Sequence, residues 1–132
     1  MTLRTGHLSP CLALLLAWPM GTECLVLWPR ITHYGGLSGL IHAAAGVLFV
    51  LSAIEKKATP IPQVLGAALA FKIATEHAWA VPVAFDPAWG FNVVVAAHLS
   101  HTAAAVACAG LVWILARLRA RAASSSKLAL AW

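Results

Sequence analysis

Charge is what this chain has least of. Nine Lys or Arg and four Asp or Glu are spread over 132 residues, 10% of the total. Soluble domains carry about 25%, so an ordinary water-soluble domain is excluded, and so is an acidic or disordered tail. Cysteine is also sparse. Cys11, Cys24 and Cys108 form no C-x-x-C pair and lie inside apolar runs, which excludes a disulfide framework and reads them as small buried hydrophobes. The chain has no C-x-x-C-H segment and no carboxylate-rich cluster, so no cofactor and no metal site is expected. Internal repeats, Gly/Ser linkers and heptads are missing too, which leaves one domain over residues 1–132. The basic residues do not interleave with aromatics as a single-strand groove requires, so no nucleic-acid partner is expected.

What is present is apolar surface. Hydrophobic residues make up 61% of the chain and the mean hydropathy is +0.85. Four apolar stretches, about 8–29, 36–54, 61–82 and 90–116, are each near the roughly 20 residues that cross a bilayer as helix. They predict an all-α, polytopic helical bundle of about four transmembrane helices in a lipid bilayer, ending in a basic tail over 117–132. Pro19, Gly21 and Glu23 break the first stretch. Arg4 before Leu12–Leu16 has the order of a signal peptide. No small-x-small cleavage pattern follows, only Ala17-Trp18-Pro19-Met20, so a retained helix is expected.

Basic residues set the orientation. The end after residue 116 holds Arg117, Arg119, Arg121 and Lys127, the 55–60 connection holds Lys56 and Lys57, and residues 1–7 hold Arg4. The 30–35 connection has Arg30 alone, and 83–89 has no base but carries Asp86. Both termini and the Lys56/Lys57 loop are therefore expected in the cytoplasm, with Thr32–Gly35 and Asp86–Trp89 outside. Trp28, Trp79, Trp89 and Trp113 fall near segment ends, where an interfacial aromatic belt belongs. Ala96, Ser100, Ala103, Ala107 and Gly110 predict a thin packing face along the last helix. Only Ser124–Ser126 reads as loosely ordered.

Polar side chains inside a bilayer are costly and mark function. Gly36-Leu37-Ser38-Gly39 sets a serine at the outer start of the second helix, where unpaired backbone N–H groups around Gly36, Leu37 and Gly39 are oxyanion candidates. As an isolated motif it also describes an N-cap serine after a glycine-rich turn. His98, some eight residues into the outward-starting fourth helix, lies at matching depth and is the residue type that deprotonates a serine. No Asp or Glu is evidently placed as a third member, so the expected arrangement is a Ser38–His98 dyad. His42 falls on the same helix face as Ser38, one turn deeper, as a hydrogen-bonding group or a tuner of the serine's surroundings. Lys72 and Glu76, four apart, share a face and are expected to pair, locking their helix against its neighbours.

Tyr34-Gly35-Gly36-Leu37-Ser38-Gly39-Leu40-Ile41-His42, then Lys72-x-x-x-Glu76, then Ala97-His98-Leu99 resemble, in this order, rhombosortase. That is the branch of rhomboid intramembrane serine proteases paired with GlyGly-CTERM substrates. The motifs run from residue 34 to about 105, a little over half of the chain. The resemblance implies a rhomboid-like core, Ser38 as nucleophile, His98 as general base, and the Lys72/Glu76 pair beside the cavity. It also implies cleavage near a C-terminal Gly-Gly that releases exported proteins from the bacterial inner membrane. Only one helix precedes Gly36, so the chain is expected to be short of the family at its N-terminus, with Leu3-Arg4-Thr5-Gly6-His7 faintly similar to the family's loop segment. His101 and Ala105 stand where the family has glycines that let the catalytic helices touch. Two other readings compete: an inactive or truncated relative that binds transmembrane segments without cutting, and a haem or metal protein ligated by His42 and His98. The oligomeric state is left open.

Overall fold

A computed structural model describes residues 8–54 and 60–129. The sequence expectations that rest on Arg4, the Leu3–His7 segment and the Lys56/Lys57 loop lie outside the described residues. The described residues are mostly helical, with four helices among them: α1 over Leu8–Glu23, α2 over Ser38–Ile54, α3 over Ile61–Glu76 and α4 over Ala96–Ala129. α1 runs on into a single 3-10 turn, Cys24–Leu27. Two short strands, β1 (Ala84–Asp86) and β2 (Phe91–Val93), pair antiparallel before α4.

Among the described residues two segments are long and apolar enough to cross a membrane, Pro10–Leu27 and Ala96–Ala123, and Ser38–Ile54 is a shorter apolar helix. At 1.5 Å per residue the 16 residues of α3 extend about 24 Å, short of a hydrocarbon core of about 30 Å.

Several boundaries differ from the sequence expectation, each for a local reason. Pro19 and Gly21 do not break α1, which continues to Glu23. Thr22 Oγ1 donates to the Trp18 carbonyl at 3.1 Å, and Gly21 is buried against α4. α3 stops at Glu76, not 82, because His77 adopts a left-handed conformation (φ 48°, ψ 41°). The His77 and Ala78 N–H groups then turn back onto the Ala74 and Ile73 carbonyls, at 3.2 and 3.5 Å, closing the helix end. Residues 90–95 do not begin the last helix, because a hairpin forms there. Asp86 builds its turn: the carbonyl accepts from Gly90 N–H at 2.9 Å, the carboxylate accepts from Ala88 N–H at 2.9 Å, and Gly90 takes φ 69°. At the other end, α4 continues through the expected tail to Ala129. Ala, Arg and Leu are strong helix formers, so loss of hydrophobicity there is not loss of helix.

α1 and α2 both pack on α4, and α3 packs on α2. The seam is made of small residues: Ala13, Ala17, Ala43, Val47, Ala104, Ala105, Cys108, Ala109 and Val112. The expected thin face of α4 holds at its start, where Ala96 and Ser100 are buried, and is displaced by about one residue further along. Ala103 and Ala107 are exposed and Gly110 meets open space, while Ala97, His101, Ala104 and Cys108 point inward. The glycine that allows close approach sits on α2 instead. A Cβ on Gly46 would come within 2.9 Å of the Ala105 Cβ. Of the cysteines only Cys108 is buried, against Met20 at 3.4 Å; Cys24 is half-buried and Cys11 exposed.

Candidate active site

Ser38 is the first residue of α2, presented by the extended Gly35–Gly36 approach. Tyr34 fixes that entry: its Oη accepts the Gly39 N–H at 2.9 Å. One expected oxyanion donor, Gly39, is therefore already occupied, and the N–H groups of Gly36, Leu37 and Ser38 remain as candidates. Ser38, His42, Lys72, Glu76 and His98 line one cavity of about 970 Å³ together with Gly36 and Leu37. Its remaining wall is the β1–β2 hairpin and its turn, chiefly Phe85, Trp89 and Phe91. Trp89 was read from the sequence only as an interfacial residue, and Phe85 and Phe91 were not singled out, because the hairpin itself carries no apolar alternation long enough to be recognised.

His98 is buried near the start of α4 (3% exposed). Its imidazole is held on two sides. The His42 ring stacks on it with centroids 4.0 Å apart and planes inclined by 10°. Nδ1–H donates to Glu76 Oε2 at 2.7 Å. A carboxylate only accepts, so the proton of a neutral His98 is on Nδ1 and the lone pair is on Nε2. That is the tautomer a serine hydroxyl needs.

The other oxygen of Glu76 receives the Lys72 ammonium, Nζ to Oε1 at 2.7 Å, across one turn of α3. The pair expected within this helix is present, and it has a third member on α4. The expectation that no acidic group stands by His98 is corrected: the depth argument that brings Ser38 and His98 together applies equally to Glu76 at the far end of α3. His42 donates from Nδ1 to the Ser38 carbonyl at 2.7 Å, which leaves its Nε2 as a buried acceptor with no partner among the described residues.

The stacked histidines bear on the haem alternative. Rings 4.0 Å apart and nearly parallel leave no space for a porphyrin between them, and each Nδ1 is engaged elsewhere. Among the described residues no group of three or more His, Cys, Asp or Glu is placed to hold a metal ion.

His101 does not separate α2 from α4. It is fully buried, with Nδ1 2.9 Å from the Ala97 carbonyl and Nε2 3.2 Å from Thr22 Oγ1 on α1. Space for the ring comes from Gly21 and Gly39, where an added Cβ would approach it to 2.6 and 2.7 Å. Compared with models of protein families, with curated proteins and with solved structures, the chain finds no match.

Proposed function

We propose that this protein is a multi-pass intramembrane serine endopeptidase of rhombosortase type. Four helices cross the bacterial inner membrane, both termini face the cytoplasm, and the cavity opens outward. The substrate is an exported protein held by a C-terminal Gly-Gly membrane anchor. The observation that carries this reading is the shared cavity wall: Ser38 and His98, far apart in the chain, meet in one cavity with the His98 lone pair on Nε2.

Ser38 Oγ attacks the scissile carbonyl while His98 Nε2 takes its proton. The imidazolium then protonates the leaving amine as the C–N bond breaks, and water releases the acyl-enzyme through the same base. N–H groups at the start of α2 face developing negative charge there, with the helix dipole adding to them. The stacked His42 ring restrains His98 against rotation, which preserves the attack geometry.

The test is co-expression with a Gly-Gly-anchored reporter, scored for anchor release. Wild type releases the anchor, and Ser38→Ala and His98→Ala each reduce release by roughly 10³-fold or more. Normal release by His98→Ala removes it from the mechanism. A wild type that neither cleaves nor labels at Ser38 with a fluorophosphonate is a binder of transmembrane segments, not a protease.

A further inference from the structure

The geometry points to Glu76 as a positioning residue for His98: an acid–base–serine relay assembled from three helices, with Lys72 as the counter-ion that orients the acid. The inference rests on the protease reading above and deepens its mechanism.

Three observations converge on it. First, Glu76 uses its two oxygens separately, Oε1 for Lys72 and Oε2 for His98, both at 2.7 Å. A carboxylate needed only for the helix pair would leave the second oxygen to solvent. Second, the contacted imidazole nitrogen is Nδ1, which leaves Nε2 free to take a proton in the cavity that Ser38 also lines; contact at Nε2 would have blocked the base. Third, the chain ends α3 at this residue. The left-handed His77 places Glu76 in the last turn, beside the N-terminal end of α4, where a continuing helix would carry the backbone past His98. Lys72 also lines the cavity and is half exposed (side chain 49%), whereas the Glu76 side chain is 19% exposed. The lysine is thus the wetter partner and the carboxylate faces inward.

In the reaction the proton leaves Ser38 Oγ, stays on His98 Nε2, and moves to the leaving nitrogen. It does not pass to Glu76. The carboxylate holds the ring in the productive tautomer and faces the imidazolium while that charge exists.

The experiment uses the full chain purified in detergent with a transmembrane reporter ending in a Gly-Gly anchor. Variants are Glu76→Gln, Glu76→Asp, Lys72→Met and Ser38→Ala. Glu76→Gln should lower kcat by roughly 10²-fold with KM within about twofold, because its amide favours the wrong His98 tautomer. Glu76→Asp, which keeps the carboxylate, should recover part of the loss. Lys72→Met, which removes the counter-ion but leaves the carboxylate on His98, should lose less than Glu76→Gln. Nitrogen-15 NMR of the histidines should show Nδ1 of His98 protonated in wild type and altered in Glu76→Gln. Wild-type kcat in Glu76→Gln overturns the inference, and so does an equal loss in Lys72→Met or a His98 protonated at Nε2. If Ser38→Ala cleaves as well as wild type, the protease reading fails and Glu76 loses its role with it. Loss in Ser38→Ala with full activity in Glu76→Gln overturns the inference alone and leaves that reading standing.

Discussion

At the scale of single residues, the site depends on side chains that are absent as much as on those that line it. A Cβ at Gly39 would lie 2.5 Å from Tyr34 Oη and 2.7 Å from the His101 ring, both of them tied into the α2 entry and α4. Gly39→Ala should therefore cost about 1–3 kcal/mol, seen as a lower Tm in detergent and a weaker reporter signal. Gly110→Ala is the opposite case. Nothing lies within 4 Å of its added Cβ inside α4, so stability should hold or rise. Equal losses in both variants would mean that glycine matters here for helix flexibility and not for space. Ser38 and His98 were legible as a pair because both sit near the N-terminal ends of their helices. Glu76 was not, since its spacing to Lys72 already accounts for one oxygen, and a sequence carries no sign that the second is spoken for.

At the scale of elements, the helices were legible from their apolar runs, but their ends and faces were not. Helix α3 stops at a histidine with positive φ instead of the glycine that usually announces such a cap, and the hairpin is fixed by Asp86 and Gly90 in a segment too short for periodicity. The face of α4 was legible at Ala96 and Ser100 but not beyond them, because Ala lines the helix almost all round and small residues alone do not select one side. The correct side is distinguished by what it meets. Ala105 faces the backbone of α2 at Gly46, whereas Ala103 is exposed. Ala105→Leu should consequently push α2 from α4, lower Tm and abolish anchor release, while Ala103→Leu leaves both near wild type. Comparable melting curves for the two would place the helix contact elsewhere.

At the scale of the whole molecule, α4 sets the frame. Its 34 residues extend about 51 Å, beyond a hydrocarbon core of about 30 Å. In the proposed membrane arrangement it starts beside the cavity and emerges on the other side carrying Arg117, Arg119 and Arg121, with Arg117 over the Trp113 ring at 5.3 Å to the centroid. The proposed orientation makes Trp89→Cys on the hairpin reactive toward a membrane-impermeant maleimide applied outside spheroplasts, and a cysteine at Arg121 unreactive. The reverse pattern inverts the protein and moves the cavity to the cytoplasmic side. His101 has a meaning on this scale as well. Its ring occupies volume vacated by Gly21 on α1 and Gly39 on α2, with a bond to Thr22 closing the junction. The Cα of residue 101 also comes within 2.7 Å of a Cβ added at 21, so the two helices touch there backbone to backbone. Trimming the imidazole alone therefore opens no room for a side chain at 21, and glycine at that position is set by how closely α1 lies on α4.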